Sequence, residues 1–110
     1  MTVGKTYKFD AAHFLPDHPK CGQLHGHTYT VTVEVVGKVN PETGMVIDLH
    51  VLDSFVEPII KKLDHHFIND SIPIPTCENI AKWFLLQLSP LIPLPINIKV
   101  QEGAGGYART

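Results

Sequence analysis

The chain has 110 residues, of which 44% are hydrophobic and 18% are charged, and its 9 basic and 11 acidic residues give a net charge of −2. This length and composition favour one folded domain spanning residues 1–110. The absence of a long basic run argues against nucleic acid or an anionic membrane as a partner, and no apolar run reaches transmembrane length.

Cysteine usage and the first residues bear on the compartment. Residues 1–5 lack the long apolar core of a signal peptide. Cys21 and Cys77 are the only cysteines, which is too few for a disulfide framework, and neither belongs to a C-x-x-C pair. We therefore expect a reduced, cytoplasmic protein.

The first part of the chain predicts two antiparallel strands. In the first, from about Val3 to His13, the odd positions are mainly apolar and His13 shares their face. In the second, from His25 to about Val36, the odd positions carry histidine, tyrosine and valine, whereas the even positions from 28 to 34 carry threonine and glutamate. The odd face is therefore expected to face the core, with histidines where the two strands meet.

The middle of the chain predicts two helices. A turn over residues 40–44 is followed by an expected strand tail at 45–47. Asp48 is a good N-cap for a helix from Leu49 to about Leu63, in which Pro58 should cause a kink or cost one backbone hydrogen bond. Thr76 caps a second helix, which Ser89-Pro90 ends.

The last part of the chain predicts a strand, because Ile96, Ile98 and Val100 alternate with polar residues. A further strand is expected near the C-terminus or around Val46. The order β-β-α-α-β, with both helices on one face of an antiparallel sheet, indicates an α+β fold.

His13, His25 and His27 are candidate metal ligands. Residues two apart in a strand project from the same face, and His13 lies on the matching face of the preceding strand. Zinc accepts three such nitrogen ligands and then keeps an open position for chemistry. The alternative is that His25 and His27 are partly buried strand residues held by hydrogen bonds.

Cys21 lies four residues before His25, close enough to be near a metal without binding it. A nearby cation lowers a thiol pKa and so activates the thiolate. The alternatives are a small apolar loop residue or a fourth ligand of a closed structural zinc site.

Acidic and histidine residues later in the chain are further candidates. Asp64 next to His65 could fix the tautomer of the imidazole, although His66 competes for that role and helix-terminal histidines also arise from dipole effects. Glu102 could accept hydrogen bonds from the N–H and NH2 edge of a guanine-like ring, or could be a solvated strand end. Thr76 is a helix cap first and a candidate site residue second.

Several motifs occur in the order known from one family. They are Phe9-x-Ala-Ala-His13, Cys21-x-x-x-His25-Gly-His27, Gly44-Met-Val-Ile-Asp48, Leu63-Asp64-His65, Pro75-Thr76-x-Glu-Asn and the final strand glutamate Glu102. From Phe9 to Tyr107 the chain closely resembles the family of 6-pyruvoyl-tetrahydropterin synthase and 6-carboxytetrahydropterin synthase.

The resemblance implies a role for most of the candidates. Zinc would be bound by the three histidines His13, His25 and His27. Cys21 would be the catalytic thiolate that accepts a proton, with Asp64 and His65 as its partner dyad. Glu102 would anchor the pterin ring of 7,8-dihydroneopterin triphosphate, and Thr76 would be a second substrate-binding residue.

The resemblance also implies the tunnelling fold, a four-stranded antiparallel sheet with two helices on one face. Subunits would close their sheets into a barrel as trimers or hexamers, with active sites between subunits. Barrel closure would also remove the unpaired sheet edges.

The spacer of three residues between Cys21 and His25 resembles the 6-carboxytetrahydropterin synthases of deazapurine (queuosine and archaeosine) biosynthesis. These release acetaldehyde and triphosphate. The sister activity, formation of the 6-pyruvoyl compound, stays open, whereas Leu24 argues against the aldolase variant. The segment after Glu102, Gly-Ala-Gly-Gly, departs from the common Glu-Thr. The alternatives from other classes are a non-catalytic module that binds zinc and a pterin or purine, and a structural zinc protein.

Overall fold

The computed structural model describes residues 1–110 and contains one sheet and two α-helices. The elements, in chain order, are β1 (Thr2–His13), β2 (His25–Val36), α1 (Leu49–Leu63), a 3₁₀ turn (Ile68–Asp70), α2 (Cys77–Leu88), β3 (Ile96–Glu102) and β4 (Tyr107–Arg109). The four strands form an antiparallel sheet in the order β1-β2-β3-β4. The predicted α+β architecture, with a four-stranded antiparallel sheet and two helices, is confirmed.

The register of the strands decides which side chains meet at the end of the sheet. His13 of β1 pairs with His25 of β2, and Glu102 of β3 pairs with Tyr29 of β2. The predicted odd-numbered face of β2 is buried, since Tyr29 and three valines of this strand have no exposed surface. Because side chains alternate along a strand, this register brings the histidines and Glu102 to the same face.

Both helices begin as predicted. Asp48 Oδ1 accepts a hydrogen bond from the backbone N–H of His50 at 2.8 Å, and Thr76 Oγ1 accepts one from Asn79 at 3.2 Å. These caps satisfy N–H groups that have no partner inside a helix. Helix α1 runs from Leu49 to Leu63 with Pro58 inside it. The core consists of 20 buried residues from both helices, the sheet and the connecting segments.

One predicted element is absent and one expected alternative is present. Residues 45–47 do not form a strand. Met45 pairs only with Asn40, at the start of the same turn, in an isolated bridge. The extra strand lies instead at the C-terminus, as β4. None of the helices combines the length and the apolarity needed to cross a membrane.

A polar network attaches α1 to β1 away from the end that carries the histidines. Lys5 Nζ donates to Asp53 Oδ2 at 2.7 Å, and the Tyr7 hydroxyl donates to Asp53 Oδ1 at 2.7 Å. The Asp53 side chain is 16% exposed. The hydrogen bonds from Lys5 and Tyr7 hold the pKa of Asp53 below its usual range because they favour the ionised carboxylate.

We expect Asp53→Asn to lower the free energy of unfolding at neutral pH and to have less effect in acid. A carboxyl group with a lowered pKa in the folded protein stabilises it above the unfolded pKa of about 3.9, and this contribution disappears as the pH falls through the folded pKa. Urea unfolding followed by Trp83 fluorescence between pH 3 and 8 measures the difference. Asp70→Asn is the control, because Asp70 is exposed and forms no ion pair. A difference that stays constant down to pH 3 would contradict the prediction.

Candidate metal centre and active site

The three histidines predicted to be ligands come together at the end of the sheet. His13 and His25 lie opposite each other, with their Nε2 atoms 3.0 Å apart. The ring centroid of His27 lies 5.1 Å from that of His13 and 4.8 Å from that of His25. His13 is fully buried, and His25 and His27 are partly exposed.

The hydrogen bonds of these rings fix the protonation of their outer nitrogens. His13 Nδ1 lies 3.0 Å from the carbonyl oxygen of Pro75, and His25 Nδ1 lies 2.6 Å from that of Gln23. A carbonyl oxygen only accepts, so each Nδ1 carries a proton and donates it. Tyr29, whose hydroxyl is 3.1 Å from His13 Nδ1, is then a second acceptor for that proton.

This arrangement leaves two lone pairs pointing at each other. In a neutral imidazole with Nδ1 protonated, Nε2 carries the lone pair, and the Nε2 atoms of His13 and His25 are the ones in contact. Burial is the largest effect on His13 and lowers its pKa, which keeps the ring neutral. The contact is unfavourable by itself and becomes favourable with a cation bound to both nitrogens.

Glu102, which the sequence predicts as a substrate-binding residue, also lies among the histidines, and the sequence does not predict that position. Glu102 Oε1 lies 2.7 Å from His27 Nε2 and 3.6 Å from His13 Nε2. The contact with His27 is short but poorly aligned, so His27 Nε2 is buried without a hydrogen-bond partner. The alternation of side chains along β3 is a signal for this position, because Glu102 lies on the same face of the strand as Ile98 and Val100.

The donor set fits a metal ion. The ligand atoms of His13, His25, His27 and Glu102 all lie within 4.8 Å of one another. Zinc bound to nitrogen at about 2.0–2.1 Å in a tetrahedron keeps ligand nitrogens about 3.3 Å apart, close to the observed 3.0 Å between His13 and His25. Backbone carbonyls that accept from the far nitrogen of each ring are the usual outer partners of metal-binding histidines.

A cleft of about 560 Å³ opens beside the cluster and is lined by His27, Thr76, Cys77, Glu102 and the glycine-rich turn before β4. Cys77 is a residue of this cleft that sequence reasoning missed. Its Sγ donates to Glu102 Oε2 at 3.3 Å, and burial, with the nearby carboxylate, raises the pKa of this thiol to about 12. The thiol therefore stays protonated at neutral pH and remains a donor to Glu102.

Cys21 lies in the loop between β1 and β2 and is partly exposed. It is not among the clustered ligand atoms. In this geometry the fourth position near the histidines belongs to Glu102 rather than to the thiol of Cys21.

Asp64 and His65 form a hydrogen-bonded pair at the outer edge of β1. Asp64 Oδ1 lies 2.9 Å from His65 Nδ1 and accepts from the backbone N–H of Asp10 at 3.0 Å. The Asp10 bond, the largest effect, and the His65 contact lower the pKa of Asp64. His65 N–H donates to the carbonyl oxygen of Asp10 at 2.6 Å, and His65 has a positive φ of 58°.

The dyad is not joined to the other candidate residues within one chain. No hydrogen bond or ion pair connects Asp64 or His65 to Cys21 or to the histidine cluster. The His65 side chain is 78% exposed, and it lines an open cleft of about 640 Å³ together with His27. His65 is therefore free to meet groups outside its own chain.

Comparisons with known proteins agree on one family. The model of the family described as 6-pyruvoyl tetrahydropterin synthase matches residues 2–109. A putative 6-carboxy-5,6,7,8-tetrahydropterin synthase from Archaeoglobus fulgidus is 48% identical over 81 residues, which cover 74% of this chain and 70% of that protein. The 6-carboxy-5,6,7,8-tetrahydropterin synthase from Synechocystis is 39% identical over 97% of this chain and 90% of its own length.

The fold also has a close match among solved structures. The 6-pyruvoyl tetrahydropterin synthase of Caenorhabditis elegans superposes with a TM-score of 0.91 over 100% of this chain and 94% of that chain. The two sequences are 23% identical, so this likeness shows the fold alone.

Proposed function

The chain belongs to the 6-pyruvoyl tetrahydropterin synthase family, and from that premise we propose that it is a zinc-dependent lyase acting on 7,8-dihydroneopterin triphosphate. The products are 6-carboxy-5,6,7,8-tetrahydropterin, acetaldehyde and triphosphate, and the reaction serves deazapurine (queuosine or archaeosine) biosynthesis. The main support for the proposal is the contact between the Nε2 atoms of His13 and His25. Neither nitrogen carries a proton, so both can bind a metal ion beside the cleft that Glu102 lines. The relatives that are 39% and 48% identical to this chain are both named 6-carboxy-5,6,7,8-tetrahydropterin synthases, one of them as putative, which supports the 6-carboxy branch.

The ligands proposed for zinc are His13, His25 and His27. When bound, zinc supplies a Lewis acid that polarises the side-chain hydroxyls of the substrate and lowers the cost of removing a carbon-bound proton. Three neutral imidazoles do not reduce the charge of the ion, which favours this role.

Glu102 is proposed to bind the N–H and NH2 edge of the pterin ring. A carboxylate offers two acceptors to two adjacent donors. The thiol of Cys77 lies against Glu102 Oε2 and so restrains the rotation of this carboxylate in the cleft. Thr76, which lines the same cleft and caps α2, is the other proposed substrate-binding residue.

Cys21 is proposed to be the thiolate that accepts the carbon-bound proton, and Asp64 with His65 the dyad that assists it. Asp64 holds the imidazole by its Nδ1 and thereby sets its tautomer. Because the dyad lies at the outer edge of β1 and has no contact with Cys21 of the same chain, we propose that it serves the site of a neighbouring subunit.

A dyad that serves a neighbouring subunit requires an oligomer, and we propose a trimer or hexamer whose sheets close into a barrel. In the isolated chain β1 and β4 are the two edges of the sheet, and exposed edges favour pairing with further strands. We further propose that residues 1–110 act as one domain in the cytoplasm, where the free thiols of Cys21 and Cys77 stay reduced.

Incubation of the zinc-loaded protein with 7,8-dihydroneopterin triphosphate, followed by mass spectrometry and trapping of aldehydes, tests the reaction. We expect 6-carboxytetrahydropterin and acetaldehyde, and no product from protein treated with a chelator. Formation of the 6-pyruvoyl compound would show that the protein has the 6-pyruvoyl-tetrahydropterin synthase activity instead. Tight pterin binding with no product at any pH would mean that the protein is a binding module and not an enzyme.

A structural zinc site is the second candidate, and the position of Glu102 favours it. With Glu102 as a fourth ligand the coordination would be closed, and a closed site stabilises a fold without reacting. Removal of zinc would then unfold the chain, which circular dichroism detects. The lyase proposal expects the chelated protein to stay folded and to regain turnover when zinc is returned.

A further inference from the structure

The loop between β1 and β2 is folded around the ring of a histidine outside the metal centre. His18 Nδ1 accepts hydrogen bonds from the backbone N–H groups of Lys20 at 3.1 Å and Cys21 at 2.8 Å. A ring nitrogen that accepts N–H groups carries the lone pair, so the proton of the neutral ring is on Nε2. His18 thus acts as asparagine or aspartate acts in turns, where the side chain accepts from N–H groups just ahead of it.

The backbone hydrogen bonds of this loop close into a ring. Leu15 N–H donates to the carbonyl oxygen of Cys21 at 2.8 Å, and His18 N–H donates to that of Leu15 at 3.2 Å. With the bond from Cys21 N–H to the His18 ring, both backbone groups of Cys21 are held. The packing is also close, because a Cβ at Gly22 would lie 2.5 Å from the carbonyl oxygen of His18.

We propose that His18 is a positioning residue for Cys21, whose backbone it holds through the lone pair on Nδ1. The proposal rests on the proposed function only for the role of Cys21 as proton acceptor, since the hydrogen-bonded ring exists whatever that thiol does. Without the acceptor, the Cys21 N–H loses its partner in the loop and the thiol is no longer held in one place. A displacement of about 1 Å at a reacting group can cost about 100-fold in rate.

Two substitutions of similar polarity separate this role from a general effect on the loop. In His18→Asn the side-chain oxygen takes the place of Nδ1 and can accept from Lys20 and Cys21. In His18→Gln the oxygen is one bond further out, near the place of Nε2, and cannot accept from both N–H groups. Three quantities are measured on each full-length protein: kcat and KM, bound zinc, and the rate at which iodoacetamide alkylates Cys21, followed by mass spectrometry of the peptide.

For His18→Gln we expect kcat to fall by about 10-fold or more with KM within about 3-fold, because binding of the substrate does not need the thiol in place. We expect alkylation of Cys21 to be about 3-fold faster or more, because the loop no longer holds it. His18→Asn should keep both rates within about 2-fold of the wild type. Zinc content should stay the same in both variants, since His18 is not in the histidine cluster.

Equal alkylation rates in the wild type and the His18→Gln variant would overturn the proposal. Equal losses in the Asn and Gln variants would also overturn it, because the acceptor at the Nδ1 position would then not matter. Faster alkylation in His18→Gln with unchanged turnover would support the proposal that His18 positions Cys21. The same result would contradict the role of Cys21 as the thiolate in the proposed function.

Discussion

Replacement of His25 by alanine is expected to lower the affinity for zinc by at least about 100-fold and to reduce turnover by about 1,000-fold or more. The substitution removes one of the two Nε2 lone pairs that face each other at 3.0 Å. With one imidazole fewer, the ion loses a full coordinate bond, a larger loss than that of an outer hydrogen-bond partner, which itself costs about 10–100-fold in affinity. Metal analysis after dialysis, and titration with cobalt followed by absorption, measure the change.

His50→Ala is the matched control, because His50 is exposed in the first turn of α1 and is not in the cluster. It should keep zinc and turnover at the level of the wild type. A His25→Ala protein that binds zinc as tightly as the wild type would contradict the assignment of His25 as a ligand. Retention of zinc without turnover would move the role of His25 from metal binding to substrate binding.

Replacement of Cys21 by alanine is expected to lower turnover strongly without loss of zinc. A positioned general base contributes about 10²–10⁴-fold to a rate, so we expect a fall of about 1,000-fold in kcat. Zinc content should not change, since Cys21 lies outside the clustered ligand atoms. Cys21→Ser tests whether a polar group is enough at this position. We expect it to be nearly as inactive as the alanine variant, because a serine hydroxyl is not ionised at neutral pH and cannot replace the thiolate as a base.

These two measurements on Cys21→Ala distinguish the lyase from a structural zinc site in which Cys21 is the fourth ligand. Loss of zinc in this variant would mean that the thiol binds the metal. Full turnover would exclude the thiolate as proton acceptor. Loss of turnover with full zinc content is the result that the proposal requires.

Much of the fold could be predicted because its strands and helices follow local rules. The alternation in β2 separates valines from threonines so clearly that its buried face and its bounds, His25–Val36, were both predicted. Asp48 and Thr76 are the side chains that cap helices, and both do so. The convergence of the histidines also follows from parity, because a hairpin between β1 and β2 places His13 opposite His25.

Other features depend on contacts that spacing along the chain does not reveal. Glu102 reaches His27 only because β3 pairs with β2 in the register that puts Glu102 opposite Tyr29. The strand expected at residues 45–47 is wrong because the turn before it makes a single bridge. The acceptor role of His18 depends on the tautomer and orientation of its ring, which the residue type leaves open.

The attachment of Asp64 and His65 to β1 has a consequence for which substitutions the site tolerates. Both hydrogen bonds use the main chain of Asp10, since its N–H donates to Asp64 and its carbonyl oxygen accepts from His65. Every amino acid except proline offers the same pair of groups. Sequence drift at position 10 should therefore leave both bonds in place for 18 alternative residues, as a saturation library would show, whereas Asp10→Pro should remove the bond to Asp64 and keep the one from His65.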